Sequence, residues 1–333
     1  MKILIIRLSS IGDIVLTSPV VRCLKKQIPD SEIHYLTKIQ YREIIEANPF
    51  IDKKIYFDKN LNQMIDELKN ENYDLIIDLH KNIRSHRIRW SLRKKTYSFP
   101  KINFQKWLMV NFKINRLPKI HIVDRYFKAV EKLGVKNDFA GLDFFISSKN
   151  EIQISSLPEK FRSRFIVFVI GAKFNTKKLP QHKIIAICKL IQKPILLIGG
   201  QEDKGIGDFI AQQSGEHVLN TCGKYSISQS ASLIRQAEKV ITHDTGMMHI
   251  AAAFKKEIIS VWGSTIPDFG MTPYYGDVKI RSSKFEISNL SCRPCSKLGF
   301  SKCPKGHFKC MEDIDIIQVA ASAHNLEHPS QSS

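Results

Sequence analysis

The sequence predicts an α/β protein of two Rossmann-like domains facing each other, each built on a parallel sheet. Short apolar, β-rich runs alternate with amphipathic helical stretches along most of the chain, which is the pattern of strand–helix–strand units. The series occurs twice, with the polar, Pro158-containing stretch 155–163 between the two halves. The chain has 333 residues, enough for two domains at about 150 residues each, and 43% of them are hydrophobic, enough to give each half a core. The expected units are 1–158 and 159–333.

In the first half the expected strands are Lys2 to Leu8, Glu32 to Leu36, Lys54 to Phe57 and Asp74 to Asp78. Ser18-Pro19 reads as an N-cap followed by a first-turn proline, with Val20, Val21 and Leu24 facing a core before Pro29 ends the helix. Ile11, Gly12 and Asp13 therefore fall in a turn beyond the carboxyl end of the first strand. The second half offers Phe165 to Ile170, Pro194 to Ile198, His217 to Asn220, Lys239 to Thr242 and Glu257 to Trp262. Ligands of open α/β sheets gather beyond the carboxyl strand ends, so the cleft between the domains is the expected site. A dinucleotide reading fails: no G-x-G-x-x-G follows the first strand, Gly205-Ile206-Gly207 lies in a helical stretch, and there is no Walker A motif.

The formal net charge is +19, from 51 Lys+Arg against 32 Asp+Glu, and argues for anionic company: nucleic acid, an acidic membrane surface or a phosphorylated substrate. No apolar run has the roughly 18 residues of a spanning helix, and the start of the chain lacks a signal-peptide pattern, so a cytoplasmic location is expected. Cys23, Cys188 and Cys222 stand singly in apolar or helical settings, in keeping with a reducing compartment. The chain ends in a polar tail, His328 to Ser333.

The sharpest local feature is His243-Asp244-Thr245-Gly246-Met247-Met248-His249, where a strand hands over to an apolar helix. A helix start presents unpaired N–H groups and the positive dipole end, which suit phosphate oxygens. Asp244 is placed to cap that helix, Thr245 and Gly246 permit close backbone approach, and His249 lies on the first turn. A purely structural cap and core histidine fit the same residues. Asp13 occupies the equivalent turn of the first domain and would face this loop, suited either to general-base work or to a plain Asp-Gly turn. Lys177 and Lys178 follow the strand at 165–170, where a lysine can neutralise a diphosphate or simply be solvated.

The runs Ile6 to Pro19 (Ile-Arg-Leu-Ser-Ser-Ile-Gly-Asp-Ile-Val-Leu-Thr-Ser-Pro), Tyr73 to His80, Gly171 to Pro180, Gly199 to Asp203 and Asp244 to His249, in this order over nearly the whole chain, resemble the ADP-heptose:lipopolysaccharide heptosyltransferases, glycosyltransferase family 9. His121 to Tyr126 is similar to the family as well. The resemblance implies a GT-B architecture and an inverting transfer that requires no cofactor and no bound metal. The first domain, 1–158, would bind the acceptor and the second, 159–333, the nucleotide sugar. It implies Asp13 as catalytic base, Lys177 as phosphate contact, and Asp244, Thr245, Gly246, Met247 and His249 as the nucleotide-sugar loop. Gln201 or Glu202 would help hold the nucleoside, and Ser10, Lys81 and Arg84 would face the acceptor. The expected partners are ADP-heptose and a lipid-linked oligosaccharide acceptor, with nucleic acid not expected. Where the family usually has Trp-Pro, this chain has Leu179-Pro180, a difference that bears on base or sugar preference.

Two further stretches stand apart. Cys292, Cys295, Cys303 and Cys310, with His307 nearby, have ligand types and a C-x2-C opening compatible with a structural zinc site, although their later spacings form no standard ribbon and reduced or locally disulfide-paired cysteines fit the same pattern. Asp313-Ile314-Asp315 resembles a metal-binding acidic pair but falls at the start of the last helix, where acids favour the dipole. Between Lys81 and Lys95, seven basic residues surround Trp90, with Trp107 soon after. This suits anionic lipid headgroups at the inner face of a membrane or the phosphates of an acceptor, or equally a solvated basic helix.

Overall fold

A computed structural model describes residues 1–324; the polar tail His328 to Ser333 lies outside the described residues. Two all-parallel sheets organise the chain. The first holds β1 (Lys2–Ile6), β2 (Glu32–Lys38), β3 (Lys53–Phe57), β4 (Leu75–Asp78) and β5 (Lys95–Ser98) in the order β3-β2-β1-β4-β5. The second holds β6 (Ile166–Val169), β7 (Ile195–Ile198), β8 (Val218–Asn220), β9 (Lys239–His243), β10 (Glu257–Trp262) and β11 (Ser283–Glu286) in the order β11-β10-β9-β6-β7-β8.

The central strands are β-branched and apolar because both of their faces are covered: Ile3 to Ile6 of β1 and Ile166 to Phe168 of β6 have no exposed surface. Strand order reverses between β1 and β4 in one sheet and between β6 and β9 in the other. These are the positions at which open α/β sheets leave a crevice. All nine expected strands form, with ends shifted by at most two residues. β5 and β11, which the apolar pattern did not signal, are edge strands with Lys-Thr-Tyr-Ser and Ser-Lys-Phe-Glu sequences. With a single neighbour each and no fully buried residue, they need no apolar run.

Helices follow the strands on both faces. One local expectation changes: Thr17, not Ser18, is the N-cap of the helix Ser18–Gln27, and the Ser18 hydroxyl accepts from the Asp143 amide (2.8 Å). Pro19 does stand in the first turn. One apolar core runs from β1 and Ile14 through Tyr126 and Phe144 to Met248 and Trp262, so the two halves share buried contacts. No helix among the described residues is long and apolar enough to cross a membrane.

Candidate active site

On the first-domain side, β1 delivers Arg7, Ser10 and Asp13 to the crevice beside β4. Asp13 stands on a one-turn helix, Ile11–Val15, rather than in an open turn, and Ser10 is its N-cap. The Asp13 Oδ2 accepts from the Ser10 amide (3.2 Å) and hydroxyl (2.8 Å), and Oδ1 lies 2.6 Å from Arg7 Nη2. Arg7 is held in turn. Its Nε donates to the Ser9 carbonyl (2.9 Å), its Nη1 donates to the Leu79 carbonyl, and its guanidinium lies over the Tyr126 ring. Burial by itself would raise the Asp13 carboxyl, but the Arg7 charge and the Ser10 hydrogen bonds outweigh it and hold the group below the usual carboxylate range. The side chain keeps 25% of its surface, so the ionised oxygen remains reachable. His80, at the end of β4, is pushed down to about 4 by burial, with Arg7 and Lys101 adding to the effect.

On the second-domain side, β9 ends at His243 and the helix Gly246–Ala253 begins with Thr245 as its N-cap. The first amides of that helix, at Gly246, Met247 and Met248, have no partner within it. Asp244 does not cap this helix, contrary to the sequence expectation. Its Oδ2 instead receives the Lys177 ammonium (2.5 Å) and the Thr265 hydroxyl (2.8 Å), while Lys177 also donates to the Asp244 carbonyl (3.2 Å). An ion pair across two strand ends satisfies the carboxylate better than one backbone amide would. Leu179 donates its amide to His243 Nε2 (3.0 Å), which ties the lysine loop to the same strand end.

The two sides meet at glycines. A Cβ on Gly12 would fall 2.6 Å from the His249 ring, and one on Gly246 would fall 2.6 Å from Ile11 Cβ. His249 is therefore packed between Asp13 and Asp244, and burial keeps it neutral, down at about 4. Its Nδ1 has no hydrogen-bond partner among the described residues. Lys106, on the helix Asn103–Phe112, reaches across the same mouth and stands over the Phe269 ring at 4.9 Å.

The remaining expected residues divide. Gln201 and Glu202 form the exposed part of a 3-10 turn after β7, whereas their neighbour Asp203 is buried, accepts from Lys178 (2.7 Å) and the Gly200 amide (3.0 Å), and crowds Gly171. Gln201 packs against Gly223. Lys81 is committed to the Phe99 carbonyl (3.2 Å), and Arg84 is exposed on the helix Ile83–Leu92. Arg7, Asp203 and Thr265 were not anticipated. Arg7 carried a signal, as a lone cation closing the buried run Ile3 to Ile6, where a strand end has to give its charge a partner.

The cysteines do not fit a metal site. All four are free thiols, and among the described residues no three His, Cys, Asp or Glu side chains gather to hold an ion. Burial raises Cys295 to about 11, with the neighbouring Cys292 thiol adding to the effect, and raises Cys310 to about 12. The segment braces the site instead. Arg293 donates to the carbonyls of Gly263 (2.6 Å) and Thr265 (2.8 Å), the Cys295 amide donates to the Ser264 carbonyl (3.1 Å), and the Phe300 amide donates to the Thr176 hydroxyl (2.7 Å). Asp315 caps the last helix, Ile316–Ala323, through the Ile317 and Gln318 amides, as its position led us to expect.

Two parallel sheets whose switch points face one cleft define the GT-B class of glycosyltransferase. Within that class the chain belongs to glycosyltransferase family 9 (heptosyltransferase), whose description matches residues 61–298. It is 25% identical over 292 residues to lipopolysaccharide heptosyltransferase 1 of Campylobacter coli, covering 80% of this chain and 84% of that one. Its fold matches the crystal structure of a glycosyltransferase family 9 protein from Veillonella parvula with a TM-score of 0.77 and 24% identity, covering 97% and 96% of the two chains. It also matches E. coli ADP-heptose lps heptosyltransferase II with a TM-score of 0.73 and 18% identity, covering 97% and 98%.

Proposed function

We propose that the protein transfers heptose from ADP-heptose to a hydroxyl of a lipopolysaccharide core, with inversion and without a bound metal. The observation that carries this reading is the ionised, accessible Asp13 on one side of the cleft, facing a helix start and Lys177 on the other. Asp13 takes the proton of the acceptor hydroxyl, whose oxygen forms a bond to the anomeric carbon as the bond from that carbon to the diphosphate oxygen breaks. ADP leaves carrying the new charge, which Lys177 and the amides at Gly246 and Met247 stabilise. Asp244 and Thr265 hold Lys177 for this, and Thr245 and His249 line the same loop. Gln201 and Glu202, on their exposed turn, are assigned to the nucleoside. The unit 1–158 takes the acceptor and 159–333 the donor.

An acceptor of this kind is lipid-anchored, and the protein accordingly works at the cytoplasmic face of an anionic membrane. The exposed Arg84, Arg87, Arg93 and Lys94 and the exposed Trp90 support this reading.

The test is a pair of measurements on Asp13→Asn. It should keep the ADP-heptose-induced thermal shift of the parent and lose transfer; near-normal turnover would remove Asp13 as the base. A panel of other nucleotide sugars in the same assay reads the donor, and no stabilisation by any of them would overturn the activity.

A further inference from the structure

The helix Asn103–Phe112 is apolar at six of its ten positions, if Phe, Trp, Leu, Met and Val are counted, yet none of its residues is buried. Phe104 (65% exposed), Trp107 (45%) and Phe112 (57%) cluster on its outside, with Phe104 and Trp107 stacked at 6.0 Å and Trp107 and Phe112 edge-on at 5.1 Å. The inner side is anchored across the cleft: Lys106 stands over Phe269, and Lys113, the C-cap residue, donates to the carbonyls of Cys292 (3.2 Å) and Pro294 (2.7 Å). An aromatic face is thus held in place, at the mouth of the cleft, with nothing among the described residues covering it.

Charge says what covers it. No acidic residue stands between Asp78 and Asp124, and none between Glu286 and Glu312, while Lys and Arg recur through both stretches. The Lys113 bonds place these two acid-free segments against each other, one from each domain. The second also shows exposed apolar side chains, Leu298 and Phe300, among its lysines. Exposed aromatic side chains on stretches rich in Lys and Arg and free of Asp and Glu match the interfacial zone of an anionic bilayer. There the rings enter the acyl boundary and the cations meet phosphates.

We propose that the Phe104–Trp107–Phe112 face inserts into an anionic lipid surface and sets the cleft mouth on the membrane. This deepens, and rests on, the lipid-anchored acceptor proposed above. It assigns the docking element to this helix and the Cys292–Phe300 side of the second domain rather than to the basic helix Ile83–Leu92 alone.

The test uses the full chain with phosphatidylglycerol and phosphatidylcholine vesicles. Phe104→Ser/Trp107→Ser/Phe112→Ser should lower the fraction co-sedimenting with phosphatidylglycerol vesicles about tenfold, since interfacial binding scales with the apolar area inserted. Binding to phosphatidylcholine should be weak for both proteins. In a Trp90→Phe background, with Trp262 buried, Trp107 emission should shift to the blue on phosphatidylglycerol vesicles and be quenched by brominated acyl chains. Turnover of a de-acylated, water-soluble acceptor should be unchanged in the triple variant, which separates docking from catalysis: failure of the parent to turn over that acceptor is failure of the function, not of the docking face. Parent-like vesicle binding by the triple variant, a Trp107 signal indifferent to lipid, or a parent dimer that the triple variant dissolves would each overturn the proposal.

Discussion

Arg7 Nη2 lies 2.6 Å from Asp13 Oδ1, and the pair spans the end of β1 with the arginine almost fully buried and the carboxylate partly open. A buried guanidinium that spends its other donors on the Ser9 and Leu79 carbonyls cannot follow a substrate; it fixes the carboxylate. Because the charge of Arg7 lowers the Asp13 pKa, the ionised base persists to more acidic pH than a free aspartate. Arg7→Met should therefore move the acidic limb of the kcat/KM profile upward and reduce kcat by roughly tenfold or more as the base loses its orientation. A variant whose acidic limb stays where the parent's lies would show that another group governs it.

The Lys177–Asp244–Thr265 arrangement makes a second, independent prediction. Lys177→Ala removes the cation opposite the departing diphosphate and should cost about 100-fold or more in kcat, the scale of losing one charge-stabilising donor. Asp244→Asn keeps the size of the side chain but loses the ion pair, so its effect should fall mainly on the KM for the nucleotide sugar, by about tenfold. Steady-state kinetics that vary donor and acceptor separately will show whether the two substitutions divide in this way.

How far the sequence prefigured this site depends on which contacts are local. β1 and β9, and the loops that leave them, were legible because a buried parallel strand must be apolar and the turn after it is marked by Gly and Asp. β5 and β11 were not, since an edge strand with exposed side chains has no periodicity to betray it. Asp203 was missed in favour of Gln201 and Glu202 because a three-residue 3-10 turn points its third side chain inward, a rotation that residue identity does not reveal. Thr265 matters through Asp244, a partner close to it only in space. The cysteine spacing showed ligand types, but not that the segment is tied by its bonds to Gly263, Ser264 and Thr265, residues close to it only in space.

Arg293 tests that bracing role. It is buried, pairs with Glu286 at 2.7 Å and donates to the Gly263, Thr265 and Ile287 carbonyls, so Arg293→Met strands a carboxylate and several acceptors. A loss of about 3 kcal/mol in stability is expected from breaking a buried pair, read as a lower denaturant midpoint. At temperatures where the variant stays folded, the KM for the donor should rise, because Thr265 no longer holds Asp244.

The Gly12–Gly246 contact predicts how tightly the two halves must meet. A Cβ at Gly246 would sit 2.6 Å from Ile11 Cβ and 3.0 Å from the Gly12 amide nitrogen, neither of which is the free end of a side chain. Gly246→Ala should therefore separate the helices Ile11–Val15 and Gly246–Ala253, with roughly 1–3 kcal/mol of overpacking expressed as a lower Tm. Activity should fall further than the loss in stability explains, since the displacement lengthens the distance between Asp13 and the donor loop. An alanine variant with parental kcat would show that the two sides tolerate a wider gap.

Lys106 provides a readout that needs no turnover. Partial burial, reinforced by the charge of Arg125, pushes its ammonium down to about 8, while the charges of Asp13 and Asp244 pull the other way. A lowered lysine pKa favours the neutral amine, so above about pH 8 Lys106 should be the more nucleophilic lysine when compared with an ordinary one near 10.4. Competitive labelling with trace acetic anhydride, followed by peptide mass spectrometry across pH 6 to 11, should give half-maximal reactivity of Lys106 near pH 8. Saturating ADP should move that midpoint upward, because a diphosphate in the cleft favours the charged form of a nearby amine. If Lys106 labels like a solvated lysine and ignores ADP, its side chain lies outside the cleft, and the crossing of the Asn103–Phe112 helix over the mouth would have to be redrawn.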